Sequence, residues 1–123
     1  MTVKHFRELI VWQKAMDLVA DVYRATELFP KTEVFGLVNQ MRRCAVSVPS
    51  NIAEGQGRAT TKDFMHFLHM ARGSLQELET QIAIAHRLNF IPAEAEAALM
   101  SSLTEVAKVL AGLLRSLSSS TNH

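Results

Sequence analysis

Between Phe64 and Asn89 the chain returns to an apolar or uncharged residue at alternating steps of four and three: Phe64, Leu68, Ala71, Leu75, Leu78, Ile82, Ala85, Asn89. That spacing places all of them on one stripe of an α-helix, which a strand with its period of two cannot do. Thr60 or Thr61 supplies the N-cap. About 28 residues at 1.5 Å each make a rod of about 42 Å, and only elements of similar length can cover its stripe. A second row (Phe67, Met70, Ser74, Gln81, Ile84, Leu88) widens the apolar face. Gly73 and Ser74, small and at mid-length, predict close approach of a neighbouring helix.

The rest of the chain supplies such partners. A first helix is expected from about Glu8 to Leu28, with Trp12, Met16, Val19, Tyr23 and Thr26 as its stripe and Val11, Leu18, Val22, Ala25 and Phe29 beside it. Pro30 ends it, because proline disfavours helical geometry in the residue before. Thr32 is the expected N-cap of a second helix, whose stripe is Phe35, Val38, Met41, Ala45, Val48 and Ile52. Pro49 falls inside that pattern, removes one hydrogen bond and crowds the Ala45 carbonyl, so a kink near Ser47–Ser50 is expected before the helix stops at Gly55. A fourth helix follows Pro92, a residue suited to a first turn. It carries Ala95, Leu99, Leu103, Val106, Leu110, Leu113 and Leu117 and is expected to fray over Ser118–His123.

Short joints between four such helices imply an all-α, antiparallel up-down-up-down four-helix bundle. At 123 residues, 1–123 is expected to form one domain with its core over about 8–117. The apolar fraction is 48% and the aromatic fraction only 7%, so the core must be largely aliphatic. No uninterrupted apolar run reaches the roughly 18–20 residues that span a bilayer, and MTVKHFREL has no apolar signal core. The single cysteine, Cys44, excludes an internal disulfide framework. Together these features predict a cytoplasmic protein.

Helices 1 and 3 hold more large apolar residues than one bundle needs, which predicts a homo-oligomer. Net charge is only +1, but its distribution is uneven. Residues 42–72 carry Arg42, Arg43, Arg58, Lys62 and Arg72 against Glu54 and Asp63, whereas 73–105 carry Arg87 against Glu77, Glu79, Glu94, Glu96 and Glu105. Opposite patches of this kind suit either a solvated mixed surface or contact with a partner. The basic segment is the candidate nucleic-acid surface.

Chemistry is sparse. His66 and His69 stand at i, i+3 with Asp63 a turn earlier. Bundle metal sites need a Glu-x-x-His element on each of two helices, and none occurs, so a polar helix face is expected and no metal or other cofactor. Arg42 and Arg43 stand near Cys44, yet the thiol also borders the apolar stripe, where free cysteine acts as a small hydrophobe. No phosphate loop, dinucleotide fingerprint or nucleophile elbow is present, so no enzyme is expected. The segment Ser47–Arg58 is too polar for plain packing. Its Ser47, Pro49, Ser50, Asn51, Glu54 and Gly55 fit a kink with side-chain donors for freed carbonyls, or a corner that binds a partner.

Leu9-Ile10-Val11-Trp12-Gln13-Lys14-Ala15, Phe29-Pro30, Gln40-Met41-Arg42-Arg43, the Val48-Pro49-Ser50-Asn51-Ile52-Ala53-Glu54-Gly55 segment and Ala71 through Gln81 resemble the 23S rRNA intervening-sequence family. The resemblance spans roughly residues 5–117. It implies a bacterial four-helix bundle assembled as a ring-like homopentamer, with no established activity. Related accessory proteins of diversity-generating retroelements share the pentameric bundle but are strongly basic and bind nucleic acid. The near-neutral charge of this chain departs from them. Two functions are therefore expected to compete: an oligomeric scaffold binding RNA or a nucleoprotein, and a protein-interaction module without nucleic acid. No small-molecule substrate is expected.

Overall fold

The computed structural model describes residues 5–121. It contains four helices, α1 (Ile10–Thr26), α2 (Leu37–Gln56), α3 (Thr61–Arg87) and α4 (Ala93–Thr121), and short 3-10 turns at Phe6–Glu8 and Lys31–Glu33. Each helix packs on its neighbours in sequence, and α1 closes on α4, while the diagonal pairs make no close backbone contact. The side-chain pairings run antiparallel throughout. Thr26 meets Arg42 whereas Trp12 faces Ala53. Ser47 meets Ser74 whereas Gly55 faces Phe64 and Phe67. Lys14 pairs with Glu105 at 3.0 Å, and Asp21 accepts from Ser102 at 3.1 Å. The bundle is therefore up-down-up-down, as expected.

The seam of α3 is buried as its spacing requires: Leu68, Ala71, Leu75, Leu78, Ile82 and Ala85 face the core. Thr60 is its N-cap, its Oγ1 accepting from the Asp63 amide at 3.1 Å. At the far end Asn89 takes a left-handed φ of 63°, and the Phe90 amide reaches back to the Ala85 carbonyl at 2.8 Å. This is a Schellman closure with asparagine in the place usually given to glycine. It turns Phe90 onto Phe29, ring centroids 5.5 Å apart, so the two joints at that end hold each other.

Four expectations need correction. In α1 the buried stripe is Val11, Ala15, Leu18, Val22 and Thr26. The expected stripe, Trp12, Met16, Val19 and Tyr23, lies a helical step to the side, half-buried or exposed. Thr32 does not cap α2. Lys31–Glu33 forms a tight turn instead, and the Glu33 carboxylate accepts from the Leu37 amide at 3.3 Å, so the helix begins at Leu37, four residues later than expected. Phe35 consequently precedes the helix, its register does not apply, and it is 93% exposed rather than in the core.

The fourth correction concerns glycine. Gly73 and Ser74 were the expected point of close approach; Ser74 lies on it, its hydroxyl 2.7 Å from that of Ser47, but a Cβ at Gly73 would meet nothing within 4 Å. Gly55 does that work, lying inside α2 rather than ending it: a Cβ there would stand 2.7 Å from Phe67 Cβ and 3.1 Å from the Phe64 carbonyl. The helix stops two residues later, at Gly57.

α4 is buried through Leu99, Leu103, Val106, Leu110 and Leu114 and remains helical to Thr121 rather than fraying from Ser118. Residues 122–123 lie outside the described residues. By length and composition Ala93–Ser119 would be able to cross a membrane. A search for unbroken apolar runs overlooks it because Glu105 and Lys108 interrupt the sequence. Its buried leucines identify it as a wall of the bundle.

Gly55→Ala is expected to destabilise the fold by about 1–3 kcal/mol, since backbone and Cβ must move to admit the methyl. Gly73→Ala, helical and unobstructed, is expected to stabilise it by about 1 kcal/mol. Chemical denaturation of the two variants measures both.

Candidate functional site

The polar segment of α2 is built against α3. Pro49 lies within the helix and buried, and because it has no N–H, the Ala45 carbonyl gets no donor from that position. Side chains serve the carbonyls on either side. Ser47 Oγ donates to the Cys44 carbonyl at 2.6 Å, and Asn51 Nδ2 donates to the Ser47 carbonyl at 2.8 Å. The Ser47 and Ser74 hydroxyls are 2.7 Å apart, and with Ser47's proton already given, Ser74 is the donor between them. Cys44 Sγ donates in turn to the Ser74 carbonyl at 3.0 Å. The three residues make a closed polar contact across the α2–α3 interface. Ser50 takes no part and sits on the outer face.

Two of the five basic residues are committed within the fold. Arg42 Nε donates to Thr26 Oγ1 at 2.8 Å and its Nη2 to the Tyr23 carbonyl at 3.2 Å, with the guanidinium 4.5 Å from the centre of the Tyr23 ring. It thereby serves the Tyr23 carbonyl in the last turn of α1, where the helix dipole favours a cation. Arg58 pairs with Glu54 at 2.9 Å and lies 4.7 Å over the Phe67 ring. Arg43, Lys62 and Arg72 point to solvent. About 21 Å of helix separates Arg42 in α2 from Gln56 at its end, and Arg58 lies two residues beyond. One protomer does not gather the five into a single cluster.

His66 and His69 are exposed on α3, and among the described residues no group of three metal-ligating side chains converges. Burial pushes the Cys44 thiol up to about 11, with the charge of Glu77 adding to the effect and a hydrogen bond from the Leu78 backbone opposing it. It is a packed group, not a nucleophile at neutral pH.

Excess apolar surface was expected on the first and third helices; the groove beside α2 and the α1–α2 corner were not. Along α1 and α2 an open groove of about 310 Å³ runs between Trp12, Met16, Val19, Val46, Pro49 and Ala53. At the α1–α2 joint, Leu28, Val34 and Phe35 project into solvent. The sequence carried a signal for the second feature: Gly36 directly after Val34-Phe35 marks a break from which a helical stripe cannot be extended backwards.

Arg42→Ala is expected to cost about 1.5–3 kcal/mol, the range for hydrogen bonds to a charged group, whereas Arg43→Ala is expected to stay within about 0.5 kcal/mol. Thermal or urea unfolding separates them. At pH 8 the raised Cys44 thiol should react with iodoacetamide about a hundredfold more slowly in the folded than in the unfolded chain. The stability conferred by keeping this thiol neutral is complete below the ordinary thiol value of 9.0 and is lost as pH rises toward 11.

Comparison with known proteins agrees with this architecture. The family described as 23S rRNA-intervening sequence protein matches over residues 7–112. No curated protein matches the chain. Among solved structures, a protein of unknown function from the S23 ribosomal protein family of Bacteroides thetaiotaomicron superposes with a TM-score of 0.77 at 21% identity, covering 85% of this chain and 98% of that one. At that identity the likeness establishes the fold alone. The family match spans most of the chain, and the chain belongs to the 23S rRNA-intervening sequence protein family.

Proposed function

We propose that this chain is a non-enzymatic subunit of a homo-oligomer, a pentamer by family resemblance, and that the assembly serves in the cytoplasm as a helical scaffold for RNA or a nucleoprotein. The observation that carries self-association is the apolar surface left outside a completed core. Twenty-four buried apolar residues already fill the bundle, yet Leu28 and Phe35 stand 81% and 93% in water. Patches of this kind mark interfaces. Arg43, Lys62 and Arg72 are the cations available to phosphate, and symmetry would multiply them around a ring.

A second reading is a protein-interaction module with no nucleic-acid role. It is favoured by the hold of Thr26 and Tyr23 on Arg42 and by the surface pairing of Arg58 with Glu54, which reduce the charge each protomer offers to phosphate.

Sedimentation velocity is expected to give a mass several times 13.7 kDa; a monomer at high concentration would remove the scaffold. For RNA, binding of a single-stranded probe is expected at low salt. Its log affinity should fall with log salt by about 0.7 for each phosphate neutralised. The triple variant Arg43→Ala, Lys62→Ala, Arg72→Ala should lose it. Binding unchanged by salt and by these substitutions would favour the second reading.

A further inference from the structure

Resting on the RNA-binding reading just proposed, we infer that the phosphate backbone of the RNA lies across the outer face of α3 and α4, and that His66 and His69 set how strongly it is held as pH changes. The fold assembles a basic face there that no single stretch of sequence contains. At about 100° per residue, Lys62, His66 and His69 fall within about 60° of one another on the side of α3 turned away from its buried seam. All three are exposed, as is Arg72 one turn further on. The approach of His86 Nε2 to Glu96 Oε1, 3.7 Å, fixes the register of the antiparallel α4. Counted back from that contact, His69 stands level with Leu113 and His66 with Ser116. The charged residues in that half of α4 are Lys108 and Arg115, both exposed, and no acid follows Glu105 in the sequence.

Acidic charge is drawn off this face. Glu77 is turned to the α2 flank, where Gln81 Nε2 donates to it at 3.3 Å and its charge acts on Cys44. Glu79 lies about 100° round the helix from Lys62, and Glu105 is held by Lys14 of α1 at 3.0 Å. Only Asp63 is left among the cations, a turn before His66. Lys62, Arg72, Lys108 and Arg115 against one carboxylate make a surface complementary to a polyanion.

The two imidazoles sit in the middle of it. The charged groups facing them are Lys62, Asp63 and Arg72 on α3, Arg115 on α4, and the paired Glu54 and Arg58 at the α2 end, where Arg58 and His66 both border the Phe67 ring. Histidine is the side chain that ordinarily changes charge between pH 5 and 8. Acidification through that range adds two cations to the four already present, within reach of the same phosphates.

An oligouridine probe, whose bases stay neutral and whose phosphates stay charged, tests this by fluorescence anisotropy against salt at pH 8 and at about pH 5.5. For the wild-type chain the fall of log affinity with log salt is expected to steepen by about 1.4 on acidification, two further phosphates at about 0.7 each. In His66→Gln, His69→Gln the slope is expected to be the same at both pH values. In His66→Lys, His69→Lys the steeper slope is expected already at pH 8. If wild-type binding falls with salt but its slope ignores pH, or if the glutamine variant steepens as the wild type does, this face is wrong while the RNA reading stands. If the probe binds at neither pH, the RNA reading and this face fall together.

Discussion

The close approach of α2 and α3 is the constraint on which the rest of the bundle depends. At one end a methyl group at Gly55 would collide with α3, and at mid-length Cys44, Ser47 and Ser74 exchange hydrogen bonds across the interface. Both features demand small side chains and a fixed register. A slip of one helical turn would leave the Ser74 carbonyl without its thiol and would put a bulkier residue against Phe67. Pro49 lies in the same stretch, flanked by the side-chain hydrogen bonds of Ser47 to the Cys44 carbonyl and of Asn51 to the Ser47 carbonyl. The polar character of this segment, opaque as core packing, is what allows two long helices to lie close and stay aligned.

How legible each helix was depended on how many solutions its pattern allowed. In α3 charged residues fill the opposite face, so the seam from Leu68 to Ala85 has one orientation. In α1 two apolar stripes, Val11-Ala15-Leu18-Val22 and Trp12-Met16-Val19-Tyr23, lie about 100° apart. Either would serve as a core face. The outcome depends on where α2 and α4 lie, which no local window contains. Phe35 failed for a different reason: periodicity extends a helix backwards until something stops it, and the tight turn after Pro30 with the Glu33 cap stops it at Leu37.

The candidate site was legible as composition more than as geometry. The basic residues of 42–72 were visible, and the pairing of Glu54 with Arg58 follows from i, i+4 spacing. That Arg42 is held by Thr26 and Tyr23, 16 and 19 residues away, does not. A cation read from sequence counts as free until its acceptors are placed, so local charge overstated what is available to phosphate. Surplus apolar surface was legible as a quantity but not as a place, because Phe35 and the Trp12 stripe were assigned to the core and lie outside it. Together they give the surface an apolar component that a count of charges does not register.

Cys44 carries a last consequence. The protein's one thiol is shut inside the α2–α3 contact, donates its proton to a backbone carbonyl and ionises only far above neutrality. To a labelling reagent the folded chain is therefore nearly blank. A cysteine introduced at any exposed position becomes a single addressable handle for a fluorophore or spin label, with the native sulfur left in place to hold the helices together.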